Sequence, residues 1–145
     1  MVRIEGRQIV AETLTCRAVF ENGWLVELGR PGGPSYLSGV DTSRSALTLL
    51  YPGQGTTDVM GNLAATVSLH ALSPLSAQFR ISGWDGDGIV TVSEDPETGD
   101  VLVEPSGYSS RPGLFSVRWR VDGMREGLNL VAPFFGGITA TAAIA

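Results

Sequence analysis

Residues 15–28, TCRAVFENGWLVEL, place two runs of strand-forming residues on either side of Asn22-Gly23. A tight two-residue hairpin turn needs positive φ at both central positions, and Asn-Gly is the pair that tolerates it most readily. The stretch therefore predicts an antiparallel hairpin with strands over 15–21 and 24–28. Cys16, the single cysteine, falls inside the first strand. No internal disulfide can form, and the thiol reads as a small buried or half-buried side chain. A catalytic thiol would need a histidine, and His70 is the only one.

Working outward, the same period-2 pattern recurs. Residues 115–121 alternate strictly, with Phe115, Val117, Trp119 and Val121 on the apolar side and Ser116, Arg118 and Arg120 on the polar side. Residues 77–82 and 66–71 repeat the pattern of a half-buried strand. His70 shares the polar side of its strand with Ser68 and reads as a solvated or edge histidine. Residues 89–93 and 101–104 flank a loop at 94–100. Asp95-Pro96 starts a turn there and Thr98-Gly99 closes it, which predicts a second hairpin. A strand over 47–51 ends at Pro52-Gly53. Residues 128–135 form a continuous apolar run of the buried kind, and 138–145 read as a last strand or a frayed tail.

Helix signals are weak by comparison. With 19 Gly and 8 Pro, no stretch of a dozen residues avoids both while holding a 3.6-residue period. Short strands at such spacings predict an all-β antiparallel β-sandwich with hairpins and Gly/Pro-rich loops. The 145 residues are the size of one such domain. The 29–38 segment and a polar loop within 40–62 are its longest connections, and no internal repeat is present.

Composition narrows the partners. The net charge is −5, and the ten basic residues are all arginine. An acidic chain lacks the basic face that nucleic acid or an anionic membrane surface requires, so neither is expected as a partner. A hydrophobic share of 43% against 17% charged leaves apolar surface for a partner. Residues 1–7 lack the apolar core of a signal peptide, which favours a cytoplasmic location over secretion. No apolar run reaches the length of a spanning helix.

Trp84-Asp85-Gly86-Asp87-Gly88 is the densest chemical cluster. Two carboxylates on a Gly-rich turn suit calcium, but the third acid and closing glutamate of a calcium loop are missing. The cluster reads as a turn, and neither a metal nor another cofactor is expected. Trp84 beside it, and Tyr108 further on, have faces that stack on the apolar C–H face of a sugar ring. Trp24, Tyr36 and Trp119 share that chemistry, with Trp119 on the core side of its strand. Glycoside chemistry would need two acids facing across a cleft, and Asp41, Asp58, Asp85, Asp87, Asp122 and Glu126 are the candidates. Arg118 and Arg120 project from one face, with Arg80 as a third member, and would suit a small anion or a uronic acid. No phosphate loop, zinc-ligand spacing or nucleophile elbow is present.

Residues 83–88 (GWDGDG), 104–113 (EPSGYSSRPG) and 117–138 (VRWRVDGMREGLNLVAPFFGGI) together resemble the N-terminal β-sandwich regions of large glycoside-hydrolase-like proteins. Those regions are similar to the galactose-mutarotase-like supersandwich that precedes a catalytic barrel. Residues 12–28 resemble the first hairpin of such domains. The resemblance implies a non-catalytic carbohydrate-associated sandwich, with Trp84, Asp85, Asp87 and Tyr108 on a sugar-contacting surface. It carries over no catalytic acid. This chain ends soon after Ile138, where such proteins continue, so the resemblance implies a stand-alone or truncated relative. Half a supersandwich exposes a sheet face or edge, which implies a homo-oligomer. The alternative is a structural or assembly module that self-associates or docks to a larger protein through an apolar face, without a small-molecule ligand. An autonomous enzyme is the third reading, and only carboxylates could serve it.

Overall fold

The Asn22-Gly23 turn forms as its sequence requires. Asn22 has φ 52° and Gly23 φ 84°, the left-handed pair of a hairpin turn that follows the twist of its strands. The computed structural model describes residues 1–43, 45–54, 56–60, 66–82, 86–110, 112–132 and 138–141. Side chains at 52–54, 56–60, 129–132 and 138–141 are outside the description.

The described residues form strands and no helix. They are β1 (Val2–Glu5), β2 (Gln8–Glu12), β3 (Arg17–Glu21), β4 (Trp24–Gly29), β5 (Leu47–Gln54), β6 (Thr56–Met60), β7 (Thr66–Ser73), β8 (Ser76–Ser82), β9 (Gly86–Glu94), β10 (Val101–Ser109), β11 (Ser116–Trp119), β12 (Asn129–Ala132) and β13 (Ile138–Thr141). One four-stranded sheet runs β1-β2-β3-β4 and a second runs β10-β9-β8-β7. A three-stranded sheet, β11-β5-β6, and the β12-β13 pair complete the set. Every pairing is antiparallel.

The two four-stranded sheets pack face to face as a β-sandwich, with β1 against β7, β8 and β9, and β2 against β9. Register decides what each contributes. In the first sheet Ile4, Ile9, Phe20 and Leu25 form one row across four strands, and Val2, Ala11, Ala18 and Leu28 form the next. In the second, Leu69, Phe79 and Val90 stand in one row and Ala71, Ala77, Val92 and Val103 in another. Apart from the outer Ala71, these rows belong to the core or pack on it, and Leu37, Leu47 and Ile81 extend it. Each large side chain so buried contributes roughly 1.5–3 kcal/mol.

The third sheet leans on the end of β10. A Cβ built on Gly107 would come within 2.9 Å of Leu49 and 3.2 Å of Val117. The bare glycine lets β5 and β11 approach. Trp119 joins this sheet to the first hairpin, its indole Nε1–H donating to the Gly23 carbonyl oxygen at 2.9 Å.

The outer face of the first sheet carries alternating charges. Arg3 bonds Glu5 at 2.6 Å and Glu12 at 3.0 Å; Arg17 bonds Glu12 at 3.0 Å and Glu27 at 2.6 Å. Val10 and Val19 also lie on this face by register, yet both are buried.

Several expectations need correction in detail. Residues 2–12, without a strand assignment in the sequence reading, form the β1–β2 hairpin across Gly6, whose φ is 59°. The polar loop expected within 40–62 includes the far half of β5 and all of β6. Pro52-Gly53 does not end β5; the register shifts between Tyr51 and Gln54 instead, and a bulge accommodates the proline. The strand expected over 115–121 is shorter, and Phe115 is 73% exposed. Beyond Trp119, Arg120 spends its N–H on the Ala46 carbonyl oxygen outside the ladder. The apolar run at 128–135 is a strand over Asn129–Ala132, and its remainder at 133–135 lies outside the described residues. In the expected last strand, Ile138–Thr141 is β13 and 142–145 lie outside.

Candidate functional site

The outward face of the second sheet is built by alternation. Val90 and Val92 of β9 point into the core, so Asp87, Ile89, Thr91 and Ser93 point out. The same parity sends Leu102, Glu104, Ser106 and Tyr108 outward from β10, and all four are exposed. On β8 the outward residues are Gln78 and Arg80, and on β7 Ser68 and His70.

Register lines these side chains into rows. His70, Gln78, Thr91 and Glu104 stand in line across all four strands. Ser68, Arg80, Ile89 and Ser106 form the adjacent row. One step further along, Asp87 stands opposite Tyr108. Directly opposed residues in an antiparallel pair lie on the same face with Cβ atoms roughly 4.5–5.5 Å apart. The phenol ring is 66% exposed and Asp87 is exposed beside it.

Internal hydrogen bonds orient part of the face. Arg80 Nε donates to Gln78 Oε1 at 2.6 Å, and Ser68 Oγ lies 3.0 Å from His70 Nε2. His70 thus sits on the polar side with Ser68, as its strand pattern implies. Among the described residues Arg80 forms no salt bridge, and the Nε of its guanidinium is taken by Gln78. The outer face thus carries an exposed phenol, carboxylates and a guanidinium, with an imidazole and hydroxyls among them, while Gln78 in the same row is buried.

Gly86 is what lets β9 reach this geometry. A Cβ there would stand 1.9 Å from the Tyr108 carbonyl oxygen. Gly86 therefore serves the backbone, but residues 86–88 open β9 rather than forming the turn expected of the cluster. Among the described residues no three metal-ligating side chains converge.

Of the four residues singled out from the sequence, Asp87 and Tyr108 come together here. Trp84 and Asp85 lie outside the described residues. The remaining aromatics divide. Trp24 is buried, with the Arg120 guanidinium 5.3 Å above its ring. Trp119 is half-buried against the core, and Tyr36 is exposed on the 30–36 loop. The expected arginine group does not form as one cluster: Arg80 is engaged with Gln78 while Arg120 lies over Trp24. Asp41 caps its own turn, accepting from Ser43 N–H at 3.0 Å and Ser43 Oγ–H at 2.6 Å. The side chain of Asp58 is outside the description, and Asp122 and Glu126 are exposed on the segment after β11.

Sequence reasoning missed Gln78, Thr91 and Glu104 as partners of His70. The alternating pattern was visible on each strand, but it gives a face and not a register. Only the pairing brings the four into one row. A cleft of about 540 Å³ opens elsewhere, lined by Arg7, Glu21, Asn22, Thr42, Val67 and Leu69, and holds none of the residues singled out. No protein-family model, curated protein or solved structure matches this chain.

Proposed function

We propose that this chain is a non-catalytic, carbohydrate-contacting β-sandwich module whose binding surface is the outer face of β7–β10. The observation that carries the reading is the pairing of exposed Tyr108 with exposed Asp87 at one end of that face. The ring offers its electron-rich face to sugar C–H groups, and the carboxylate accepts from neighbouring hydroxyls. Arg80, Thr91 and Glu104 supply further charged and hydroxyl groups at strand spacing. The resemblance of the 83–88 and 104–113 segments to glycoside-hydrolase-associated sandwiches points the same way. A glycan array probed with the native chain, Tyr108→Ala and Trp84→Ala tests it. Binding to a defined set of glycans that weakens in both variants is expected. No binding, or binding indifferent to Tyr108, would sink the reading.

A second reading, a module that self-associates, is favoured by the exposure of Phe115 and by Leu72 and Leu75 at the β7–β8 turn. Apolar groups of this size at the edge of a sheet invite pairing. Sedimentation of the native chain over a wide concentration range decides it. A monomer throughout would exclude it.

A further inference from the structure

The inter-sheet space opens to solvent at the end of the sandwich where the 13–16 turn meets the 95–100 loop. Thr15 Oγ1 donates to the Gly99 carbonyl oxygen at 3.1 Å and ties the two together. Beside that link lies a groove of about 390 Å³, within the range of small-molecule sites. Ala18 and Phe20 of β3, Leu25 and Leu28 of β4, and Val101 and Val103 of β10 form its walls. All six belong to the core or pack on it, so the groove is a continuation of the core to the surface. Leu102 lines its rim and is 46% exposed, and Leu14, one residue before the rim residue Thr15, is 97% exposed.

The lip carries one formal charge. Among the described residues Asp100 is the only carboxylate that lines the groove, and no cation lines it with Asp100. Arg17, the arginine next to Cys16 in the chain, is held by Glu12 and Glu27 on the outer face of the first sheet. An apolar trough with a lone carboxylate at its mouth complements a ligand of matching polarity.

We propose that this groove binds an aliphatic chain with a cationic head, the chain lying between β3–β4 and β10 and the ammonium at Asp100. The site is separate from the sugar-contacting face and does not depend on that reading. Cys16 lines the groove and is the chain's single thiol, which makes it a built-in reporter. Burial, with a smaller contribution from Asp100, raises its pKa, which lowers the reactive thiolate fraction below that of a free cysteine.

The test follows the reaction of Cys16 with a neutral methanethiosulfonate, by mass spectrometry, in the presence of octylamine, octanol or octanoate. Octylamine is expected to protect the thiol saturably, octanol at higher concentration, and octanoate about tenfold more weakly than the amine. Ala18→Phe, which fills the trough, is expected to abolish protection by all three. Asp100→Lys changes an exposed lip residue and, with protection read against the variant's own unprotected rate, is expected to reverse the order, with octanoate the better ligand. The proposal is overturned by absence of saturable protection by octylamine, by an unchanged order in Asp100→Lys, or by full protection in a folded Ala18→Phe.

Discussion

Asp87 and Tyr108 stand directly opposite one another across the β9–β10 ladder, both exposed on the outer face of the sandwich. They are 21 positions apart in sequence, and only the pairing of Gly86–Glu94 with Val101–Ser109 brings them together. If this pair contacts sugar, Tyr108→Ala should weaken binding of the best glycan by about tenfold, the scale of one aromatic contact. Asp87→Asn keeps hydrogen-bonding capacity and should weaken it less. Both side chains are exposed, so the thermal midpoint should hardly move. Calorimetric titration beside a thermal melt separates the two effects. Equal affinities for the native chain and Tyr108→Ala would remove the face from consideration.

Gly86 sets the approach of these strands. A methyl group there would meet the Tyr108 carbonyl oxygen at 1.9 Å and the Ser109 Cα at 2.9 Å. Backbone atoms cannot rotate away as a side chain can. Gly86→Ala should therefore displace the end of β10 and cost about 1–3 kcal/mol. The urea midpoint should fall with little change in slope. Glycan binding should fall further than stability alone explains, because the displaced segment carries Tyr108. Native stability in the Gly86→Ala variant would show that the ladder end is softer than this geometry implies.

The legible part of the fold was the part written in local chemistry. Asn22-Gly23 announces its turn because few other pairs tolerate both φ values, and 77–82 and 89–93 announce strands by strict alternation. The β1–β2 hairpin was less visible because β1 has four residues and its turn is a bare Gly6-Arg7. Phe115 was misplaced for a different reason. Its alternation with Val117 and Trp119 is real, but β11 starts only at Ser116, and Phe115 stands before the strand, exposed. In the candidate site, Asp87 and Tyr108 were legible as residue types, while the row from His70 to Glu104 depends on three separate registers. No single strand contains that information.

Trp119 and Gly23 form a second long-range link. The indole N–H donates to a carbonyl oxygen in a two-residue turn of the first sheet, where an added Cβ would meet Ile81 and Ala46 at ordinary van der Waals distance. Trp119→Phe keeps most of the packing and removes the donor. It should cost about 1–2 kcal/mol by leaving the carbonyl oxygen without this partner. Gly23→Ala imposes a side chain at φ 84° and should cost about 1 kcal/mol or more. Because both act on one junction, the double variant should lose less than the sum. Strict additivity in denaturant titrations would mean that the hydrogen bond does not help hold the turn.

Glu12 gives the fold a pH dependence whose sign can be worked out. Hydrogen bonds from Arg3, then from Arg17, hold its carboxyl below the usual glutamate range. A carboxyl depressed in the folded state binds protons more readily once unfolded. Its contribution is therefore complete above the unfolded pKa, about 4.3 for glutamate, and is lost as pH falls through the folded value. Protonation also removes the anion shared by Arg3 and Arg17, above buried Val10 and Val19. Glu12→Gln should be less stable than the native chain at neutral pH, and the gap should close on acidification. Urea midpoints at a series of pH values from neutral to strongly acid measure it. A gap that stays constant across the series would show that Glu12 acts through packing alone, because a neutral glutamine has no proton to gain.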